Sequence, residues 1–182
     1  LHAGDTSEEV MPFVYYNVAA GEKIARVSAN MAMAADMEVR ASSTATTGAY
    51  SSACQRGLPA ILMERGGGGR FTDSEVQAYK RDVKNIMIRM GLLSGEEVHT
   101  VQQKNVTRAE YLEAETDGLW YPVFSAGDTF AGGAVLGTVR DIWGNLLREY
   151  RADYPGIVLY QTVGLGVKAG DPLIAYGEYV DR

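Results

Sequence analysis

A chain of 182 residues, 46% hydrophobic and 22% charged, can bury one good core or a core with a smaller satellite domain, as globular proteins do. A formal net charge of -6 and a pI near 5.0 leave no basic stripe for phosphates, which argues against nucleic acid and anionic membrane surfaces as partners. The single Cys54 excludes an intramolecular disulfide framework and suits a reducing compartment, and no apolar run approaches the roughly 20 residues of a membrane span, so the cytoplasm is the expected location.

The sequence opens on Leu1, with no initiator methionine and no signal-like segment behind it, and reads as a fragment. His2-Ala3-Gly4-Asp5 and the acidic Glu8-Glu9 pair form a short polar loop before the apolar run 11–16. Ile24, Val27, Met31 and Ala35 recur at spacings of three and four, which predicts an amphipathic helix over 20–35. A strand over 37–41 follows, then a polar stretch to Thr47, and a short helix over 50–56 that stops at Gly57.

Pro59 opens the next strand. Its apolar run 60–63 ends at Glu64, which is followed at once by Arg65 and four glycines, Gly66 to Gly69. Glu64 therefore stands where a core strand leaves its sheet, at the kind of rim where open α/β sheets build sites. Thr72 and Glu75 have the spacing of a capping box for a helix over 73–90, with Val76, Tyr79, Val83, Ile86, Met87 and Met90 on one face and Gly91 as the C-cap. Alternating helices and strands predict a mostly parallel sheet, with this last helix packed on it.

From Glu97 onward the pattern changes to short β-prone runs between glycine turns, with a helix-like period only around 146–150. Two domains are predicted, 1–96 and 97–182. Within the second, Ala126-Gly127-Asp128 is echoed by Ala169-Gly170-Asp171, a duplication that suits a small β sandwich or barrel.

Few residues carry chemistry. Glu64 is either a carboxylate paired with Arg65 or with a neighbouring helix terminus, or a general base with a raised pKa. The glycine run lacks a P-loop ending, and close approach of backbone explains it better than phosphate binding. His99 reads as a surface residue, Cys54 as a small buried hydrophobe, and Tyr150 and Tyr154 as polar aromatics near a turn. The duplicated Gly-Asp turns suggest a lipoyl or biotinyl carrier, but the expected Asp-Lys or Met-Lys-Met tip is missing, and Lys168, before the Ala-Gly-Asp turn, reads as solvated.

The segments 1–9, Met11-Pro12-Phe13 and Gly57-Leu58-Pro59-Ala60 through Glu64-Arg65-Gly66-Gly67 together resemble the succinylglutamate desuccinylase and aspartoacylase family, which has a zinc carboxypeptidase-like fold. Gly118-Leu119-Trp120-Tyr121-Pro122, Gly127-Asp128, Gly133 to Gly137, Asp141, Gly144, and the stretch from Gly156 to Leu173 look like its C-terminal β domain. The resemblance implies the fold: the later part of an α/β/α catalytic domain, then a β sandwich or barrel. It also implies a Zn2+-dependent amidohydrolase acting on a small N-acylated amino acid, with His2 as the third zinc ligand and Glu64 as the general acid/base.

The family's first two ligands, in a His-x-x-Glu motif, would lie before Leu1, so the chain alone is expected to be inactive and metal-free. A half-domain without its neighbouring strands is also expected to expose apolar surface and to form a homo-oligomer. Two other readings stay open: a zinc carboxypeptidase, and a non-enzymatic binding or assembly module in which Glu64 is structural.

Overall fold

The computed structural model describes residues 1–179. Its first eight elements are β1 (Glu8–Val10), β2 (Phe13–Asn17), α1 (Glu22–Ala34), β3 (Val39–Ser43), α2 (Ala49–Gln55), β4 (Ile61–Glu64), α3 (Asp73–Arg89) and β5 (Lys104–Val106). Four of the strands form one sheet in the order β4-β2-β3-β5. β2 is buried along its whole length because both of its faces are covered. Val14 and Tyr16 point to a core shared with Met63 of β4, Ala32 of α1, and Tyr79 and Ile86 of α3.

The β2–β3 and β3–β5 pairings are parallel, but β4 runs antiparallel to β2, with Glu64 opposite Phe13 and Ile61 opposite Tyr16. The sheet is therefore mixed. The carboxyl end of β4 lies at the amino ends of β2 and β3, so Glu64 stands on the opposite rim from the one that the parallel-sheet rule selects.

α3 begins where the sequence predicts. The Thr72 hydroxyl accepts the Glu75 N–H at 3.3 Å, and the Glu75 carboxylate accepts the Thr72 N–H at 2.7 Å. Gly91, at φ 73°, closes the other end, with the Leu92 N–H reaching the Met87 carbonyl. The buried face differs from the predicted one. Tyr79 and Ile86 pack against the core as predicted, but the fully buried positions are Ala78, Asp82 and Asn85, while Val83, Met87 and Met90 are each more than a third exposed. The polar positions win burial because each is satisfied: Asn85 exchanges two hydrogen bonds with the Val98 backbone, and Asp82 meets Arg65. The displaced apolar stripe, with Leu1, lines an open cavity of about 450 Å³.

The chain divides into two compact units, and the line does not fall at 96/97. The first unit holds residues 1–2, 12–65 and 71–107; it extends past Glu97 because β5 pairs with β3 and Asn85 captures the loop before it. The second holds 3–11, 66–70 and the rest from Arg108. β1 belongs there because it pairs antiparallel with β11.

The remaining strands are β6 (Ala109–Glu113), β7 (Gly118–Pro122), β8 (Thr129–Phe130), β9 (Val135–Arg140), β10 (Leu146–Arg151), β11 (Gly156–Thr162), β12 (Gly166–Val167) and β13 (Pro172–Glu178). The helix-like period around 146–150 is thus a strand, β10. One sheet has the order β1-β11-β13-β6 with β8 beside β11, and the other β10-β9-β7-β12. Trp120, Leu136, Val139 and Tyr150 from the second sheet share one core with Val158, Leu173, Ile174 and Tyr176 from the first, which makes the unit a β sandwich.

The two Gly-Asp turns are built alike. Asp128 and Asp171 each return their N–H to the carbonyl three residues back, and each carboxylate accepts that residue's N–H at 2.8 Å. Gly127 and Gly170 supply the positive φ, at 91° and 90°. Gly137 has a different reason to be glycine: a Cβ there would stand 2.2 Å from the Trp120 ring. Gly137→Ala is expected to destabilise the protein by about 1–3 kcal/mol through overpacking, read from the midpoint of denaturant unfolding.

Candidate active site

Successive residues along an extended chain point to opposite faces, and this alternation decides what Glu64 can do. Met63 and Arg65 face α3: Met63 enters the core, and the Arg65 guanidinium meets Asp82. Glu64, between them, turns the other way. Arg65, the partner that sequence adjacency suggests for Glu64, is engaged with Asp82. Glu64 meets His2, with Nδ1 2.9 Å from Oε2. The carboxylate is largely buried and the imidazole is half exposed.

The main chain aligns the pair. His2 forms an isolated parallel bridge with Glu64: its N–H donates to the Met63 carbonyl at 2.9 Å, and its carbonyl accepts the Arg65 N–H at 3.3 Å. The Tyr79 hydroxyl reaches the same two carbonyls, donating to His2 O and standing 3.2 Å from Met63 O. Burial, and then the negative charge of Glu64, push the Tyr79 hydroxyl up to about 12, so it remains a donor at neutral pH.

A buried polar network fixes Arg65. Asp82 Oδ2 accepts from Arg65 Nη2 at 2.8 Å and Nε at 3.0 Å, and its other oxygen accepts the Asp36 N–H. Arg65 Nη2 also donates to the Asp36 carbonyl at 2.8 Å. The Asp36 carboxylate accepts the Thr100 N–H and hydroxyl, the Val101 N–H and Arg81 Nε. Burial alone would raise its pKa, but those hydrogen bonds and the Arg81 charge outweigh it and hold the carboxyl below its ordinary value of 3.8.

Sequence reasoning picked out His2 and Glu64, which the structure brings together. It missed Tyr79, Asp82 and Asp36. The one sequence signal was indirect: the capping box sets the register of α3 and so places Tyr79 and Asp82, three apart, on neighbouring positions of one face. Tyr150 and Tyr154 are core residues. The Tyr150 hydroxyl accepts the Glu115 N–H at 2.8 Å, and Tyr154 is buried with the Arg108 guanidinium 3.9 Å from its ring centroid. Cys54 is buried beside Ser28, His99 pairs with Glu97, and Lys168 is exposed. The glycine run serves backbone approach: a Cβ at Gly67 would stand 2.5 Å from the Glu8 carbonyl oxygen, and the Gly68 N–H donates to that oxygen at 2.8 Å.

A metal finds only part of a site. Among the described residues no group of three or more His, Cys, Asp or Glu side chains can hold an ion. His2 offers one ring nitrogen, and a catalytic zinc takes three protein ligands, so these residues do not form a zinc centre by themselves.

A mixed α/β sheet with flanking helices, followed by a β sandwich, matches the fold of succinylglutamate desuccinylase/aspartoacylase proteins. A succinylglutamate desuccinylase/aspartoacylase from Rhodobacter sphaeroides superposes with a TM-score of 0.80 at 22% identity, over 98% of this chain and 58% of that one. The product-bound ectoine utilization protein EutE (DoeB) from Ruegeria pomeroyi gives a TM-score of 0.86 at 23% identity, over 98% of this chain and 56% of that one.

Among curated proteins, the N-alpha-acetyl-L-2,4-diaminobutyric acid deacetylase of Halomonas elongata is 25% identical over 190 aligned residues, covering 100% of this chain and 56% of the relative. The chain thus spans about half the length of the relatives it matches. No family model matches it. Among the described residues no helix is long and apolar enough to cross a membrane.

The Asp36 shift has a direction that can be tested. A carboxyl whose folded pKa lies below its unfolded value stabilises the fold above the unfolded value, and that stabilisation is lost as pH falls through the folded one. Acid unfolding of the wild type should therefore steepen below about pH 4, and Asp36→Asn should flatten the curve there. Asp82→Ala, which strands Arg65 in a buried site, should cost about 3–5 kcal/mol by denaturant unfolding.

Proposed function

We propose that this chain is part of an amidohydrolase that removes an acyl group from the nitrogen of an amino acid or a related small acid. One observation carries the reading: a largely buried carboxylate, Glu64, is held against His2 at the end of a core strand, in a fold whose curated relative bears the name of an N-acetyl amino acid deacetylase. In this reading Glu64 takes a proton from the attacking water as its oxygen adds to the amide carbonyl. It then gives that proton to the leaving nitrogen as the C–N bond breaks.

Zinc belongs to this proposal only in part. His2 supplies one ligand, the remaining ligands are assigned to sequence outside residues 1–182, and the chain alone is expected not to turn over substrate. Of the other readings, a peptidase is disfavoured by the small-substrate deacetylase among the relatives, and a purely structural Glu64 by its turn away from Arg65.

The test uses the protein with its natural flanking sequence, assayed against N-acetyl and N-succinyl amino acids and against peptides, with metal content measured alongside. Glu64→Gln should lower kcat by about 10²–10⁴-fold while the fold, by circular dichroism, is kept. Turnover that survives the substitution would remove Glu64 from the chemistry, and activity on peptides alone would favour the peptidase.

A further inference from the structure

α3 holds both chain neighbours of Glu64. Asp82 grips Arg65 through a buried ion pair, and Tyr79, one turn earlier, places its hydroxyl on the Met63 carbonyl. The same hydroxyl donates to the His2 carbonyl, so it meets both strands of the bridge that carries the candidate pair. Each of those carbonyls already accepts a main-chain N–H, His2 N–H at Met63 O and Arg65 N–H at His2 O. The phenol therefore joins α3 to a junction that already holds those two main-chain bonds. Its ring is held in turn, with the Arg65 guanidinium 5.8 Å from the centroid.

His2 stands where such an anchor acts directly. Ala3 and the residues after it belong to the second unit, so the chain leaves the first unit directly after His2. At that exit the His2 N–H and carbonyl are bonded to the main chain around Glu64, and the imidazole is half exposed. The helix adds the Tyr79 hydroxyl to the same carbonyl.

We propose that Tyr79 is a positioning residue: its hydroxyl seats the His2 main chain on β4 and thereby sets the distance between the His2 ring and the Glu64 carboxylate. Its hydrogen bonds go to main-chain carbonyls, those of His2 and Met63. The inference rests on the functional reading above only for its kinetic consequence; the geometric one stands apart from it.

Tyr79→Phe removes the hydroxyl and keeps the ring against Arg65. Two readouts are made on the protein with its flanking sequence. In chelator-treated protein labelled with ¹⁵N-histidine, the signature of a hydrogen-bonded His2 Nδ1 should be lost. In the metal-replete protein, kcat should fall about tenfold to a hundredfold, as displacement of a catalytic group does, with KM within about twofold of wild type. Asn85→Ala serves as the control, since it loosens the same helix through its Val98 contacts and leaves the pair alone. It should preserve both the signature and kcat.

If Tyr79→Phe proves less stable than Asn85→Ala, Tyr79→Gln, which restores a donor, must recover the signature for the assignment to stand. A wild-type imidazole spectrum and an unchanged kcat in Tyr79→Phe would overturn it. Should the wild-type protein deacylate none of the substrates, the functional reading falls, and the imidazole spectra alone decide the role of Tyr79.

Discussion

The buried ion pair between Arg65 and Asp82 is the interaction around which the first unit is arranged. Both side chains are almost wholly withdrawn from solvent, and each finds a second partner in Asp36, through its carbonyl on one side and its N–H on the other. A pair of this kind gives little net stability over a well-packed hydrophobic replacement, because two charges must first be stripped of water. Its value here is directional. Once Arg65 is drawn to α3, strand alternation sends Glu64 to the opposite face, where His2 is.

The same pair explains the unusual face of α3. A helix that buries an aspartate and an asparagine beside Tyr79 and Ile86, and leaves a valine and two methionines more than a third exposed, departs from the ordinary amphipathic arrangement. The departure holds because the polar groups have partners nearby: Arg65 and the Asp36 backbone for Asp82, the Val98 backbone for Asn85. Those bonds also tie down the loop that leads to β5. Electrostatics and hydrogen bonding thus set the rotation of the helix, and apolar burial follows.

How much of this was legible depended on how local the cause was. The capping box, the Gly91 cap, the two Gly-Asp turns and the end of a core strand at Glu64 are written within a few residues each, and all are present. The direction of β4 was not legible, because it follows from how the chain returns after α2, and nothing in the run 60–63 records it. Asp82, the partner of Arg65, lies on another element, so adjacency did not point to it. β1 escaped because Glu8-Glu9-Val10 has no strand-like alternation of its own; its pairing comes entirely from β11. The expected line between domains missed for the same reason, since both 3–11 and 66–70 join a unit whose other strands lie far along the chain. Within the candidate site, chemistry was visible in residue types, and positioning was not.

That long pairing bears on how the protein is made. Glu8 faces Thr162 across the β1–β11 ladder, so β1 leaves the ribosome about 150 residues before its partner exists. At a synthesis rate of roughly 5–20 residues per second, the wait is on the order of ten seconds or more. Through that interval the acidic Glu8-Glu9 pair makes a bare strand poorly matched to other strand edges, as charge on an unpaired edge generally does. The residues that look least like a strand are suited to a long wait for their partner.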